Sequence, residues 1–386
     1  MVYRNLTAID PDGKRVIDIE VEEGRIKRVG KFDEGVDLQG AWVLPALIDC
    51  NVTLFEGKLS GKNLKNLAKE AKKGGVATLC LRPDIEPPLS DEITLEFINA
   101  QKSEVDIYPL LLGTKEEGLS EIATLARVFA KAIFVHSDTN SYLLARIFEY
   151  AKMLGMTLFV SVRNSLLRSV GVMNEGEIAF RMGLGGISKL EEYSEVARVV
   201  EFSEFYNVPV VFQDISTARA IDLIAQSSRC YAELSIHHLL KSDEECEGYN
   251  TFAKLSPPLR EREEQEALLE RLAAGKVDFL TSLHSPKPYT QKDLSFDEAA
   301  YGIDAISYYL PLAYTKLVKS GIITLEKLLE LTSANPAAKL GIKAGFIKCG
   351  YEAKLILFDP EAASRGEGLY TNEEIYGRIK FIEDMG

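Results

Sequence analysis

The chain has 386 residues, of which 46% are hydrophobic and 27% are charged, so it has enough apolar side chains to bury a large core. Its formal net charge of −13 argues against nucleic acid as a main partner, because phosphate binding needs clustered lysine and arginine side chains. The sequence shows no signal peptide and no apolar run of the ~18 residues that a membrane-spanning helix needs, so we expect a cytoplasmic protein without a membrane partner.

Both ends of the sequence carry short strand patterns. Residues 15–21 and 25–29 flank the turn-like segment Glu-Glu-Gly, which predicts a hairpin. Near the C-terminus, residues 352–360 and 377–384 also have the composition of strands. We therefore predict that the two ends, residues 1–43 and 344–386, pair to form one small β domain.

Between these ends, strand patterns alternate with helical patterns. Strands are predicted at 43–53, 76–83, 105–113, 133–137, 156–162, 208–214, 229–235 and 277–282. Helices are predicted around 64–71 and at 120–132, 141–155, 190–207, 217–227 and 262–275. Eight strands separated by helices predict the α/β class and a (β/α)8 TIM barrel over residues 44–343. A doubly wound sheet is the rival, but the sequence has no glycine-rich phosphate loop.

In such a barrel, the functional side chains lie at the carboxyl ends of the strands. Asn51 and Thr53 are two residues apart and face the same side of the first strand, although both are poor zinc ligands. Asp138, Asp214 and His284 are the residual metal candidates, and they suit a hard, oxygen-preferring ion better than zinc. The alternative is a polar, water-filled barrel mouth. The adjacent His237 and His238 are expected at the end of the seventh strand, on opposite faces.

The sequence resembles the dihydroorotases of the amidohydrolase superfamily nearly from end to end. The similar segments are Leu-Pro-Ala-Leu-Ile-Asp at 44–49, Gly-Val-Met-Asn-Glu-Gly-Glu at 171–177, Ile-Ser-Thr at 215–217, His-His-Leu-Leu-Lys-Ser-Asp-Glu at 237–244, Pro-Pro-Leu-Arg at 257–260, Phe-Asp-Glu-Ala-Ala-Tyr-Gly-Ile at 296–303 and Thr-Ser-Ala-Asn-Pro-Ala-Ala-Lys-Leu-Gly-Ile at 332–342. The resemblance implies a (β/α)8 barrel with a small β-sandwich domain built from both termini, in agreement with the strand and helix patterns.

Most of the family's metal-binding positions carry other residues in this chain. The two histidines of the first strand correspond to Asn51 and Thr53, and two further metal-ligand histidines correspond to Ser161 and Asp214. The metal-bridging acid of the fourth strand aligns near Asp138. The resemblance therefore implies that the family's zinc ligands are largely missing.

The family's substrate-binding and catalytic positions also differ. The arginine that holds the substrate carboxylate corresponds to Phe55, and the substrate-binding asparagine corresponds to Asp84, which we expect to repel a carboxylate. The asparagine before Pro-Pro-Leu-Arg corresponds to Ser256 and the catalytic aspartate to Leu283, whereas the following histidine is retained as His284.

These departures favour a pseudoenzyme. In the family, a metal-bound hydroxide attacks an amide carbon while the aspartate shuttles the proton. Leu283 accepts no proton, and Asn51 and Thr53 do not replace two imidazoles at comparable affinity. We therefore expect no catalytic residue and no metal cofactor. The resemblance implies a structural or regulatory partner of aspartate carbamoyltransferase in pyrimidine biosynthesis, with self-association as the other option.

Two alternatives stay open. The first is an active, metal-dependent cyclic amidase that hydrolyses the dihydroorotate ring with altered ligands, and only this alternative calls for zinc. The second is a sensor of small anions or pyrimidine intermediates, in which Arg82 and Arg163 hold the anion in the degenerate pocket.

Overall fold

The computed structural model of the protein describes residues 1–116 and 118–385. In chain order the strands are β1 (Val2–Asp10), β2 (Gly13–Glu22), β3 (Arg25–Gly30), β4 (Val36–Asp37), β5 (Trp42–Pro45), β6 (Leu47–Val52), β7 (Val76–Leu81), β8 (Asp106–Pro109), β9 (Leu111–Leu112), β10 (Thr114–Lys115), β11 (Gly118–Leu119), β12 (Ile133–His136), β13 (Leu158–Ser161), β14 (Met173–Asn174), β15 (Gly186–Ile187), β16 (Val210–Ile215), β17 (Cys230–Ser235), β18 (Phe279–Thr281), β19 (Leu355–Arg365) and β20 (Glu374–Phe381).

The α-helices are α1 (Gly61–Lys73), α2 (Glu92–Asn99), α3 (Ile122–Phe129), α4 (Ser141–Leu154), α5 (Ser165–Arg168), α6 (Glu177–Met182), α7 (Lys189–Tyr206), α8 (Ala218–Ile224), α9 (Ile236–Leu240), α10 (Arg262–Ala273), α11 (Tyr289–Lys292), α12 (Tyr309–Ala313), α13 (Leu325–Leu329) and α14 (Asn335–Leu340). Among the described helices, none has the length and apolarity that crossing a membrane requires.

The two ends of the chain meet in one sheet with the strand order β20-β19-β5-β1-β2-β3, to which β4 adds beside β1. Its buried side, including Leu6, Ile19 and Leu355, forms a small core of its own. The buried Asp10 carboxylate ties the ends together, because it accepts hydrogen bonds from Arg15 Nη2 (2.7 Å) and from the backbone N–H of Ile347 (2.8 Å). The terminal segments thus form the predicted β domain, while its boundaries stay a prediction.

Eight parallel strand positions form the barrel. Strands β6, β7 and β8 pair in that order, and β9, β12, β13, β16, β17 and β18 continue the series. The third position is split into β8 and β9, and the N–H of Leu110 between them donates to Leu81 O (3.0 Å). Beyond the strand ends, the N–H of Thr53 donates to His284 O (2.8 Å), which joins the first strand to the eighth. The predicted fold class is confirmed.

The helices around the barrel follow from capping and apolar spacing. Helix α4 begins after Asn140, whose side chain accepts a hydrogen bond from the N–H of Tyr142, and ends at Gly155 in the left-handed conformation (φ 65°). Its residues Leu144, Ile147, Phe148 and Ala151 recur at helical spacing and are buried against the barrel core.

Two features of the sequence prediction need correction. Helix α2 was not predicted, although Asp91 caps it and Leu95 and Ile98 bury its apolar side. His237 and His238 lie in α9 rather than on the seventh strand, because Ser235 ends that strand and its side chain accepts a hydrogen bond from the N–H of His238.

Several segments similar to the family meet in one buried network. The Arg260 guanidinium donates to Asn174 Oδ1 (3.1 Å) and Ser216 Oγ (3.0 Å). The buried Glu192 carboxylate accepts hydrogen bonds from the backbone N–H groups of Ser216 (3.1 Å) and Thr217 (3.0 Å). These residues fix the loops that follow the fifth, sixth and seventh barrel strands, so the architecture of the barrel mouth itself requires the shared motifs.

The Asp10 contact leads to a pH-dependent prediction. Burial alone raises the pKa of Asp10, but the hydrogen bonds and charge of Arg15 and the N–H of Ile347 hold it below its usual value. We expect Asp10→Asn to lower the free energy of unfolding by about 1–3 kcal/mol at pH 7. A carboxyl with a lowered pKa stabilises the fold above its unfolded pKa of about 4, so the difference from wild type shrinks as the pH falls below that value.

Urea unfolding between pH 3 and 7 measures this effect. Asp359→Asn is the matched control, because that carboxylate and its partner Arg378 are both exposed on the same sheet, and we expect a change within about 0.5 kcal/mol. Equal effects of the two substitutions would contradict the prediction.

A candidate site at the barrel mouth

A cavity of about 250 Å³ opens at the carboxyl ends of the barrel strands. The predicted site residues that line it are Asn51, Thr53, Asp84, Ser161, Arg163, Asp214, Ser256, Leu283 and His284. Two predicted residues lie elsewhere. Phe55 is in a short turn with 43% of its surface exposed, and Asp138 pairs with Arg163 at the rim (Nε–Oδ1 3.2 Å).

The side chain of Arg82 crosses the cavity wall, and all five of its N–H groups are used. Nη1 donates to Asn51 Oδ1 (3.1 Å) and Asp214 Oδ2 (2.7 Å). Nη2 donates to Asp84 Oδ2 (2.8 Å) and Ser161 Oγ (3.2 Å), and Nε donates to Asp84 Oδ1 (3.0 Å). A guanidinium offers five donors in a fixed plane, so this arrangement saturates it.

The ring of Phe134 supports the same cation from below, 5.1 Å from the guanidinium carbon. Burial alone raises the pKa of Asp214, but the charge of Arg82 and the hydrogen bonds of Ser161, Arg82 and Asn51 lower it. Asp84 is likewise kept ionised, because Arg82 lowers its pKa against the effect of burial. Arg82 is shared between Asp84 and Asp214, so one cation faces two carboxylates, and the expectation that Asp84 repels a carboxylate stays a prediction.

Beneath Arg82 lies a second buried carboxyl group, Glu233. Asn51 Nδ2 donates to both Asp214 Oδ1 (3.0 Å) and Glu233 Oε1 (2.7 Å), and Gln213 Nε2 donates to Glu233 Oε2 (3.1 Å). Burial raises the pKa of Glu233 to about 8, so the group is mostly protonated at pH 7. Asn51 thus acts as a bridge between carboxyl groups of the sixth and seventh strands.

The donor set does not fit a zinc ion. Three positions that the resemblance assigns to metal-ligand histidines, Asn51, Ser161 and Asp214, all contact the one guanidinium. The fourth, Thr53, donates a hydrogen bond from its hydroxyl to Ser285 Oγ (3.1 Å). Within residues 1–116 and 118–385, no group of three or more histidine, cysteine, aspartate or glutamate side chains is placed to hold a metal ion.

The residual metal candidates do not meet. Asp138 accepts hydrogen bonds from Ser165 and from Arg163, away from Asp214. The buried His284 has its Nδ1 atom facing the backbone N–H of Ala305 (3.3 Å), and burial lowers its pKa to about 3, so it is neutral at pH 7. The structure therefore gives Asp138, Asp214 and His284 three separate sets of partners.

Two cavity residues have positive φ angles, Asp214 at 62° and Leu283 at 50°. Aspartate tolerates the left-handed region, whereas leucine adopts it rarely because its Cβ and side chain crowd the backbone. Leu283 holds the position that the resemblance assigns to an aspartate, and its backbone conformation suits an aspartate better. Sequence alone gives no signal of this angle.

Other residues of the site were not predicted. Arg168, Lys287 and Tyr301 line the cavity, and Arg168 Nη1 donates to Ser256 Oγ (3.2 Å). Because Arg82 has no free donor, only Arg163 of the two predicted anion-binding arginines has donors to spare. The signal that could have pointed to Glu233 is a carboxylate within the otherwise apolar seventh strand.

Known proteins similar in sequence cover almost the whole chain, although no protein-family model matches it. The sequence is 32% identical over 381 residues to the dihydroorotase of Acetivibrio thermocellus, which spans 93% of this chain and 89% of that protein. It is 33% identical over 365 residues to the dihydroorotase of Ruminiclostridium cellulolyticum, with 89% and 85% covered.

Solved structures with the same fold are more distant in sequence. An L-hydantoinase (dihydropyrimidinase) from Arthrobacter aurescens superposes with a TM-score of 0.86 at 19% identity, covering 98% of this chain and 94% of that chain. A D-hydantoinase (dihydropyrimidinase) from Thermus sp. gives 0.82 at 21% identity, with 98% and 92% covered. At this identity the superpositions concern the fold alone, and they confirm the barrel with its terminal β domain.

The Arg82 network predicts a strong and pH-dependent loss of stability when the cation is removed. Arg82→Met leaves Asp214 and Asp84 without their counter-charge, which costs about 3–5 kcal/mol of unfolding free energy at pH 7. Without Arg82, burial raises the pKa of Asp214 above its value in the unfolded chain. Such a carboxyl group lowers the stability of the fold as the pH rises above the unfolded pKa. The loss should therefore be smaller at pH 5 than at pH 7.

The double substitution Arg82→Met with Asp214→Leu is the control, because it removes the guanidinium together with the more buried of its two carboxylate partners and leaves only the partly exposed Asp84 unpaired. We expect it to recover most of the loss when unfolding is followed by urea and tryptophan fluorescence. A double variant as unstable as Arg82→Met would contradict the assignment of the loss to unpaired charge.

Proposed function

The chain belongs to the dihydroorotase family, and we propose that it is a member that does not hydrolyse dihydroorotate and instead acts in pyrimidine biosynthesis as a structural or regulatory partner of aspartate carbamoyltransferase. The observation that carries the first half of this proposal is the saturated guanidinium of Arg82. It places a permanent cation among the positions that correspond to metal ligands in the resemblance.

A second feature of the site supports the same proposal. Hydrolysis of a cyclic amide needs a group that accepts and returns a proton at the reacting centre. The corresponding position is Leu283, and the Nδ1 atom of the neighbouring His284 already accepts hydrogen bonds from the backbone N–H groups of Ala305 and Ile306. Burial raises the pKa of Glu233 to about 8, and both of its carboxyl oxygens already accept hydrogen bonds from Asn51 and Gln213, so it offers no free base.

The partner half of the proposal rests on the resemblance. The resemblance implies that members of the family without activity assemble with aspartate carbamoyltransferase. This chain has a buried loop network around Arg260 that shapes the barrel mouth. Self-association is the competing form of assembly.

The second candidate function is an active cyclic amidase with altered ligands. It is favoured by the identity of 32–33% to proteins named dihydroorotase over nearly their whole lengths. For this candidate, Asp214 is the best residue to substitute. It is an ionised carboxylate of the cavity wall and contacts both Arg82 and Asn51.

Metal content and turnover separate the two candidates. We expect the purified protein to contain far less than one equivalent of zinc, manganese or magnesium, and to show no hydrolysis of dihydroorotate above the buffer rate. Elemental analysis and an absorbance assay, each run before and after incubation with Zn²⁺ or Mn²⁺, measure this.

The control for the assay is the dihydroorotase of Acetivibrio thermocellus prepared in the same way. Stoichiometric metal together with turnover that disappears in Asp214→Ala would overturn the non-catalytic proposal and establish the second candidate. Turnover that persists in Asp214→Ala would point to a contaminating enzyme.

Direct binding tests the partner. We expect the protein to form a complex with the catalytic chain of aspartate carbamoyltransferase from the same organism, seen as a shift in elution volume and in light-scattering mass. If the two proteins elute independently at concentrations of tens of micromolar, the partner proposal fails, whatever the outcome of the metal and turnover measurements.

A further inference from the structure

Four large aromatic side chains lie exposed on segments that follow the fifth, seventh and eighth barrel strands. Phe180 of α6 is 86% exposed, Tyr249 is 55% exposed, Phe252 is 42% exposed and Tyr289 of α11 is 65% exposed. None of the four lines the cavity at the barrel mouth. We call this group the aromatic face, and its members are Phe180, Tyr249, Phe252 and Tyr289.

Contacts between the segments hold the four residues of the aromatic face on neighbouring stretches of the chain. The rings of Phe252 and Tyr289 lie with centroids 6.2 Å apart. The hydroxyl of Tyr249 donates to Met182 O (3.0 Å), which joins it to the helix that carries Phe180. Three distant stretches of the chain are therefore held side by side.

Two buried lysines fix the backbone under this surface. Lys292 Nζ donates to Thr251 O (3.0 Å) and Lys254 O (3.3 Å), which ties α11 to the segment that carries Phe252. Lys254 Nζ donates to Phe296 O (2.6 Å) and also lies 4.6 Å from the ring centroid of Tyr301. A surface on a fixed backbone loses little conformational entropy on binding, which favours recognition of a protein partner.

Exposed aromatic clusters of this kind are costly to leave in water and are typical of protein interfaces. Tyrosine and phenylalanine are enriched in the centres of interfaces, where they supply large contact areas with few rotatable bonds. Scattered single aromatic residues need no explanation, but exposed aromatic residues on neighbouring segments, two of them with ring centroids 6.2 Å apart, do.

The charges around the aromatic face are mainly negative. The exposed acidic residues on the same segments are Glu175, Glu177, Glu247, Asp293, Asp297 and Glu298. Arg181 is the basic residue among them, and it pairs with Glu247 and Glu177. Two copies of this surface facing each other would bring like charges together, so its charge disfavours a symmetric dimer.

We propose that the aromatic face is the docking surface for a protein partner that presents apolar side chains flanked by lysine and arginine. This inference rests on the proposed function and deepens it, because it names the surface on which aspartate carbamoyltransferase docks. The apolar centre supplies the contact area, and the acidic rim selects a basic partner surface and speeds its association.

Paired substitutions test the face. We expect Phe252→Ala with Tyr289→Ala to weaken binding to the aspartate carbamoyltransferase catalytic chain at least about 30-fold, measured by calorimetry or interferometry. The matched control is Tyr142→Ala with Phe205→Ala, since these residues are 71% and 79% exposed on α4 and α7 and lie outside the face. The control should bind within about twofold of wild type.

A second pair tests the rim without touching the aromatic side chains. Asp293→Lys with Asp297→Lys should slow association at low salt and reduce the loss of affinity when salt is raised. Both residues are exposed, so these variants keep the experiment informative even if an aromatic substitution disturbs folding.

The outcomes separate the two proposals. If wild type binds and both pairs of face variants bind equally well, the docking surface is wrong while the proposed function stands. If wild type does not bind the carbamoyltransferase, the partner proposal fails and takes the docking surface with it. A wild-type dimer in light scattering that the Phe252→Ala with Tyr289→Ala variant dissociates would show that a second copy occupies the face, and would also overturn the inference.

Discussion

The site at the barrel mouth depends on one guanidinium whose five N–H groups are all paired. Arg82 joins side chains from the ends of four barrel strands, and each of its acceptors is either buried or turned into the cavity wall. Such a cation gives Asn51, Asp214 and Ser161 each a hydrogen-bond donor. The ionisation of Asp214 and Asp84 and the position of the Asn51 side chain all follow from it.

The barrel could be predicted from the sequence because its signals are local. Helices are identified by apolar residues at helical spacing, such as Leu144, Ile147 and Phe148, and strands by short β-branched runs. Eight strands that alternate with helices are compatible with few architectures. The short α9 was missed because Ser235 both ends a strand and caps a helix, and an apolar run across that point has no distinct period. The start of α9 is set by the hydrogen bond that caps the helix rather than by amino-acid composition.

The candidate site was predictable in position but not in chemistry. Nine of the eleven predicted residues line one cavity, because the ends of parallel strands converge, and one of the nine, Ser256, was indicated only by the resemblance. The pairing of Arg82 with Asp214 joins residues 132 positions apart, and nothing local marks it. The same holds for Leu283, whose unusual φ angle comes from the closure of the barrel and not from its own side-chain preference.

The saturated arginine also constrains how this sequence can change. Replacing Arg82 alone would leave ionised carboxylates in a buried wall at a cost of about 3–5 kcal/mol, a large part of the 5–15 kcal/mol that holds a typical domain together. Introducing a histidine at Asn51 or Ser161 while Arg82 is present would push an imidazole against a fixed positive charge. Each of these substitutions therefore costs stability unless the charges beside it change at the same time.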